Sequence, residues 1–349
     1  MMEKITVLSV NVSEKKGTVK QPVPSVTLSS RGIEGDAHSG PWNRQVSMLG
    51  IESIRRFEQE AKRPIRFGEF AENITTQGME LWKCRPLDRF ETESFALEVT
   101  QIGKKCHGDS CTIFREVGNC VMPKEGIFAR FIDKRTGGQV LTSGQADKRT
   151  GGQVLTSRQA DKRTGGQVNE PETWNLKPET ILLYKPKILN VHIITLSDRA
   201  FRGEYEDRSG PRIRELLPLS IINYPLSITH TLLPDDPDRL KETLTTSISG
   251  GADLIFTTGG TGIGPRDFTP DVVKPLLEKE IPGIMEMIRI KYGTAKHQAL
   301  LSRSMAGVTG NSLIFTLPGS VKAVEEYMEE ISQSLLHMIL MLHGLDMHS

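Results

Sequence analysis

Asp253-Leu-Ile-Phe-Thr-Thr-Gly-Gly-Thr-Gly-Ile-Gly-Pro-Arg-Asp267 sets a short apolar run directly before a loop holding Gly259, Gly260, Gly262 and Gly264. Such a run, bounded by glycines, reads as a buried strand over residues 253–258. In a parallel sheet, ligands gather beyond the carboxyl ends of the strands, which is where this loop falls. Glycines there let backbone amides approach an anion with no Cβ in the way, and Thr257, Thr258 and Thr261 add hydroxyl donors. Phosphate is the natural guest; the plain alternative is a tight turn with nothing bound. No Gly-Lys-Ser/Thr follows, as a P-loop requires, and no helix opens at once, as the dinucleotide fingerprint requires. A conventional ATPase or dehydrogenase is therefore disfavoured.

Outward from this loop, strands are expected at 188–196, 227–233 and 312–317, and helices at 209–217, 238–249, from 270, and at 321–342. Strands alternating with helices of this length imply a largely parallel, doubly wound α/β sheet covered on both faces. Two more strand ends carry suitable groups: Thr195-Leu-Ser197-Asp198-Arg199, and Leu317-Pro-Gly319-Ser320, which opens a helix whose first amides suit an anion. Leu233-Pro-Asp235-Asp236 offers carboxylates, and Arg266-Asp267 follows the glycine loop. Asp235 and Asp267 together would hold Mg²⁺ against a triphosphate, the two acids facing one rim around a cavity. An Asp-Asp pair is also a common helix cap, and Asp236 or Asp238 reads as one.

Six ordered blocks carry a resemblance: Thr195-Leu-Ser-Asp-Arg-Ala200, Leu232-Leu-Pro-Asp235, Thr257-Thr-Gly-Gly-Thr-Gly-x-x-x-Arg-Asp-x-Thr-Pro-Asp271, Ile281-Pro-Gly283, Leu300-Leu-Ser-Arg-Ser304 and Leu317-Pro-Gly-Ser320. In this order they resemble the Mog/MoaB-like molybdopterin adenylyltransferases over residues 188–342. The resemblance implies a homotrimer that transfers AMP from Mg·ATP to the terminal phosphate of molybdopterin. It also implies that Asp235 and Asp267 are the functional aspartates, that Gly259, Gly260, Thr261 and Gly262 form the pterin-phosphate loop, and that Ser320 opens the adjoining helix. Ser197, Asp198, Thr258 and Gly319 complete the expected binding set.

Upstream, β-like runs at 4–12, 45–49, 96–101 and 127–132 are separated by Gly, Pro and Ser clusters, and the one clear helix is 51–61. This describes a mostly β domain over residues 1–132. Its informative region is Gly103-Lys-Lys-Cys106-His107 with Cys111 and Cys120. Three readings stand: a structural zinc site, disfavoured without a Cys-x-x-Cys knuckle; buried inert thiols; or a reactive thiolate at Cys106 beside Lys104, Lys105 and His107. Gly32-Ile-Glu-Gly-Asp36-Ala-His38, Arg44-Gln-Val-Ser-Met-Leu49, Phe67-Gly-Glu69, Ala71-Glu-Asn73 and Val99-Thr-Gln-Ile-Gly-Lys-x-Cys106 resemble the MOSC domain found at the end of molybdenum cofactor sulfurases. That implies a barrel-like fold handling sulfur or molybdenum cofactor at Cys106, with Cys106 as a molybdenum ligand and Asp36, Arg44 and Asn73 nearby. It further implies dealings with other cofactor-biosynthesis proteins, among them a pyridoxal phosphate-dependent sulfur donor. Taken alone, Asp36 and Asn73 are equally turn or cap residues, and Arg44 an ion-pair partner.

Between the halves, Asp133-Lys-Arg-Thr-Gly-Gly-Gln-Val140 restarts at Asp147 and Asp161, a period of 14 over residues 133–168. So short and polar a unit buries little against its neighbours and reads as a flexible tandem insertion, with a β-solenoid as the alternative. The barrel's closing strand then comes from a repeat copy or from residues 168–184, and the second domain runs over 188–349. Lys and Arg total 44 against 43 Asp and Glu, a formal charge of +1, which gives no support to coating nucleic acid or a polybasic membrane role. No apolar stretch reaches the roughly 20 residues that cross a bilayer, and no secretory leader is evident. Four scattered cysteines fit reduced thiols, so the cytoplasm is expected. The reading is cofactor biosynthesis. The alternatives are a non-catalytic molybdopterin carrier or scaffold, and an ATP-dependent enzyme acting on another phosphorylated metabolite.

Overall fold

Side chains along Lys4–Leu8 alternate between buried and more exposed positions, and Ser9, Val10 and Asn11 beyond a register shift are all buried; Lys4–Val12 is β1, around which the first unit is built. A computed structural model describes residues 3–16, 18–105, 120–135, 173–221 and 223–345. The chain divides into Met1–Lys187 and Ile188–Ser349. After β1, the first unit contains β2 (Gln21–Val23), β3 (Val26–Ser29), β4 (Gly32–Ile33), β5 (Val46–Gly50), α1 (Ile51–Ala61), β6 (Ile74–Gln77), β7 (Arg89–Glu91), β8 (Phe95–Ile102), α2 (Met122–Glu125), β9 (Ile127–Asp133), β10 (Trp174–Leu176) and β11 (Ile181–Lys185).

The order β11-β7-β8-β9-β5-β6-β1 returns to β11, so seven strands close a barrel, with β2 appended to β1. Closure is made by β11: Leu183 pairs with Lys4 of β1 and with Glu91 of β7. Asp88 secures this seam, accepting from the Tyr184 hydroxyl at 2.7 Å and the Lys187 amide at 2.8 Å. Val7, Met48, Ile74, Leu97 and Leu182 fill the interior. Helix α1 buries Ile51, Ile54 and Phe57, one helical face, against Phe70, Met122 and Phe128. Residues 136–168 of the repeat lie outside the described residues.

The second unit comprises β12 (Leu189–Leu196), α3 (Asp198–Phe201), α4 (Ser209–Ser220), β13 (Leu226–Leu233), α5 (Pro237–Ser249), β14 (Leu254–Thr258), α6 (Thr269–Val273), β15 (Lys279–Glu280), α7 (Pro282–Gly293), β16 (Ala306–Thr309), β17 (Ser312–Leu317) and α8 (Val321–Leu342). Its sheet runs β13-β12-β14-β17-β16-β15. The first four are parallel and the last two antiparallel additions. On one face Ile194, Ile255 and Ile314 pack with Leu240, Leu244 and Val273 of α5 and α6. Alternation sends Phe256 and Phe315 to the other face, stacked at 5.2 Å; burying each such ring contributes roughly 1.5–3 kcal/mol. The helix expected from residue 270 stops after Val273 and passes into a 3₁₀ turn over Lys274–Leu276, because Pro275 lacks the amide that would donate to the Asp271 carbonyl.

Candidate active site at the carboxyl edge of the parallel sheet

Register aligns the strand ends: Leu196 lies beside Leu233, Thr195 beside Thr258, and Thr258 beside Leu317. From β12 the chain steps to β13 on one side, while β14 lies on the other, so the switch point of the sheet falls between β12 and β14. Four sequence blocks therefore open side by side at one rim.

The glycines are required by geometry. Gly259 has φ +105°, and a Cβ on it would lie 2.4 Å from the Leu196 carbonyl oxygen. Gly260 has φ +63°, and its Cβ would lie 2.6 Å from Thr269 Oγ1. The Gly259 amide donates to Leu317 at 3.0 Å, Thr258 Oγ1 to Pro318 at 2.8 Å, and Thr269 Oγ1 to Gly259 at 2.8 Å. Arg303 clamps the loop from outside, its Nε donating to the Gly262 carbonyl at 2.7 Å, one Nη to Asp271 at 2.8 Å and the other to the Asp267 carbonyl. Sequence reasoning placed Arg303 in a motif block without a role.

Ser197 caps α3, accepting from the Ala200 amide at 3.2 Å, and shares a bond with the Tyr205 hydroxyl at 2.8 Å. Ser320 caps α8 through the Ala323 amide at 3.3 Å. Asp198 Oδ1 accepts from the Asp235 amide at 3.0 Å, and Arg266 lies 3.8 Å from its other oxygen. Burial, then the charge of Asp198, raises the Asp235 carboxyl above its ordinary pKa, and Asp267 adds to the effect. Asp267 Oδ2 accepts from the Gly264 amide at 2.8 Å, which folds this carboxylate over its own loop. Asp235 and Asp267 thus sense each other electrostatically.

Two cavities open here, sharing Gly319 and Ser320 as a wall. One, about 360 Å³, is lined by Thr195, Ser197, Tyr205 and Asp207. The other, about 500 Å³, is lined by Gly259, Gly260, Thr261, Gly262 and Asp267. Asp235 lines neither. Among the described residues no group of three or more His, Cys, Asp or Glu side chains is placed to hold a metal ion. Mg²⁺ beside substrate phosphates needs only one or two carboxylates, and a cation would relieve the repulsion from Asp198 and Asp267 that adds to burial in raising Asp235. The donor set fits that ion.

A cluster that sequence reasoning missed supports the first cavity. Asp207 Oδ1 accepts from the amides of Ser209 at 2.9 Å and Gly210 at 3.2 Å, holding the start of α4. Its Oδ2 takes Thr195 Oγ1 at 2.7 Å, with His230 Nε2 3.2 Å away. Burial alone would raise this carboxyl; the bonds from His230, Thr195 and the α4 amides hold it well below the usual range. The adjacency of β12 and β13, which creates the cluster, has no local signal.

In the first unit, Cys106 lies outside the described residues. Asp36 is buried and paired with the fully buried Lys20, and it accepts from the amides of Ser13 at 3.1 Å and His38 at 2.9 Å. Asn73 is fully buried; its Oδ1 receives the Ser47 amide and hydroxyl, and its Nδ2 donates to Asn11, so it ties β1, β5 and β6 together. Arg44 donates to Gln101 Oε1 at 2.8 Å and lies over the Phe128 ring. Cys84 and Cys120 are buried and in no disulfide, and burial pushes the Cys84 thiol far up.

These features define a closed barrel joined to a doubly wound α/β domain with a glycine-and-carboxylate rim at its switch point. Residues 192–337 match the family model described as a probable molybdopterin binding domain, and residues 35–144 match the MOSC domain. The molybdopterin adenylyltransferase of Pyrococcus furiosus is 36% identical over 159 residues, 44% of this chain and 91% of that protein. The molybdenum cofactor synthesis protein cinnamon of Drosophila melanogaster is 37% identical over 148 residues, 42% of this chain but only 24% of that longer protein. The crystal structure of the molybdopterin biosynthesis enzyme MoaB from Thermus thermophilus is 39% identical, covers 45% of this chain and 97% of that one, and superposes with a TM-score of 0.41. Through its second unit the chain belongs to the molybdopterin adenylyltransferase family, with a MOSC domain ahead of it.

Proposed function

We propose that the second unit transfers the adenylyl group of ATP to the terminal phosphate of molybdopterin, in molybdenum cofactor biosynthesis. The observation that carries this reading is the meeting of the glycine loop, Asp198, Asp235 and Asp267 at one switch-point rim, beside two cavities that share Gly319 and Ser320 in their lining. An oxygen of the pterin phosphate bonds to the α-phosphorus of ATP, the bond to the β-phosphate breaks, and pyrophosphate leaves. Such a transfer needs alignment and charge neutralisation more than a covalent nucleophile. Amides of residues 259–262 and of the α8 start receive phosphate oxygens. Asp235 and Asp267 would hold Mg²⁺, with Asp198 beside Asp235, and the ion would supply neutralisation of phosphate charge. Arg303 keeps the loop in its receiving shape.

The first unit, in this reading, handles sulfur or finished molybdenum cofactor through Cys106, with a pyridoxal phosphate-dependent sulfur donor as its partner. Homotrimerisation through the second unit would cover the exposed apolar side chains of Met287, Ile290, Leu300 and Leu301. The cytoplasm, where thiols stay reduced, is the proposed location.

The test is the full chain incubated with molybdopterin, ATP and Mg²⁺, with product read by mass. Adenylylated pterin and pyrophosphate are expected, and Asp267→Asn should lower kcat at least about a hundredfold. Tight molybdopterin binding without turnover would replace the reading with a carrier; wild-type turnover in the variant would remove Asp267 from the mechanism.

A further inference from the structure

The wall of the larger cavity far from the glycine loop carries an ion pair that the transfer itself does not use. Lys296 Nζ donates to Glu326 Oε1 at 2.5 Å, and both side chains line the cavity. The Glu326 side chain is 18% exposed, and its Oε2 makes no hydrogen bond among the described residues. Ala323, Glu326 and Tyr327 stand at i, i+3 and i+4 on α8, so they share one face. Glu326 lies six residues beyond Ser320, about 9 Å along the helix from the phosphate-receiving end. Tyr292 and Leu301 add an aromatic ring and an apolar flank to the same cavity. At about 500 Å³ it suits a small flat ligand.

We propose that Glu326 and Lys296 are the specificity-determining pair for the acceptor, reading the 2-amino-4-oxopyrimidine edge of its pterin. This rests on the adenylylation reading for the identity of the acceptor. The edge presents two adjacent donors, the 2-amino group and N3–H, then the O4 acceptor. A carboxylate accepts from both donors at once, and an ammonium beside it donates to O4. The pair is thus an acceptor-acceptor-donor row complementary to that edge. The 2-oxo analogue lumazine sets an oxygen against the carboxylate and is rejected, because a built polar site left mispaired discriminates strongly.

The test uses the full chain, with unphosphorylated pterin and lumazine as fluorescent probes and steady-state kinetics with molybdopterin and ATP. Wild type should prefer pterin over lumazine by at least about tenfold. Glu326→Gln should abolish that preference and raise KM for molybdopterin about tenfold while KM for ATP stays put, since its amide puts a donor where an acceptor is needed. Lys296→Met should weaken pterin binding several-fold and leave the rejection of lumazine by Glu326 in place. An unchanged pterin-to-lumazine ratio in Glu326→Gln overturns the proposal, even where adenylylation proceeds. A Glu326-dependent pterin preference in a chain that transfers no AMP supports it while removing the catalytic reading.

Discussion

Glu72 shows how one buried carboxyl couples the first unit to pH. It accepts from the amides of Gly68 at 2.6 Å and Phe70 at 3.1 Å and from Thr75 Oγ1 at 3.0 Å. Burial outweighs these donors and raises its pKa to about 7. The folded state therefore binds the proton more tightly than the unfolded chain. Stability should be greatest below the ordinary carboxylate range and should fall as pH rises through about 7, by about 3 kcal/mol at most. Trp42, Trp82 and Trp174 all belong to the first unit, so tryptophan emission in urea follows this unit by itself. The midpoint in wild type should drop between pH 5.5 and 8, and the drop should vanish in Glu72→Gln whatever that variant's baseline. A pH-independent wild-type midpoint would show the carboxyl to be already ionised. The glycine loop was legible at residue scale because backbone reach alone dictates Gly259 and Gly260. Asp36 and Asn73 were legible as polar motif residues, but nothing local reveals that Lys20, Ser47 and Asn11 engage them.

Among the elements, α8 does most for the proposed site, since its start lines both cavities. Ser320 caps it, and Arg212 of α4 reaches Glu325 at 2.8 Å. Ser320→Ala should cost about 1 kcal/mol of stability, measured by circular dichroism in denaturant, and should weaken ATP or pterin binding more than its stability loss explains. Equal loss in both would make the hydroxyl a cap alone. Long periodic segments were readable: 4–12, 51–61, 312–317 and 321–342 are each expected where the structure has them. Short strands such as β15 at the sheet edge and β16 beside it were not, because two to four residues carry no period, and their existence depends on the neighbour they pair with. Helix α7 was likewise missed, its apolar residues split between a buried side, with Met285 and Ile288, and an exposed one, with Met287 and Ile290.

At the scale of the molecule, each unit has its own strands, a closed barrel in the first and an open sheet in the second, and its own apolar interior. A chain starting at Ile188 should fold by itself and, under the proposed function, adenylylate molybdopterin at a rate within about threefold of the full chain. Near-complete coverage of the shorter Pyrococcus relative by this half supports that expectation. Insolubility or an unfolded spectrum would show that the first unit is needed for folding. The change from scattered strands to strand–helix alternation made the two fold classes readable. The sequence narrows the closing strand to a repeat copy or residues 168–184, and β11 at Ile181–Lys185 supplies it from the second of these; its partner was not readable, because the seam pairs residues 4 and 183 and no local pattern records a neighbour so far away.

That same seam sets an order of events during synthesis. Until Ile181–Lys185 has cleared the ribosome, β1 and β7 present bare edges able to recruit other nascent chains. The N-terminal half can reach its finished topology only as translation of the C-terminal half begins.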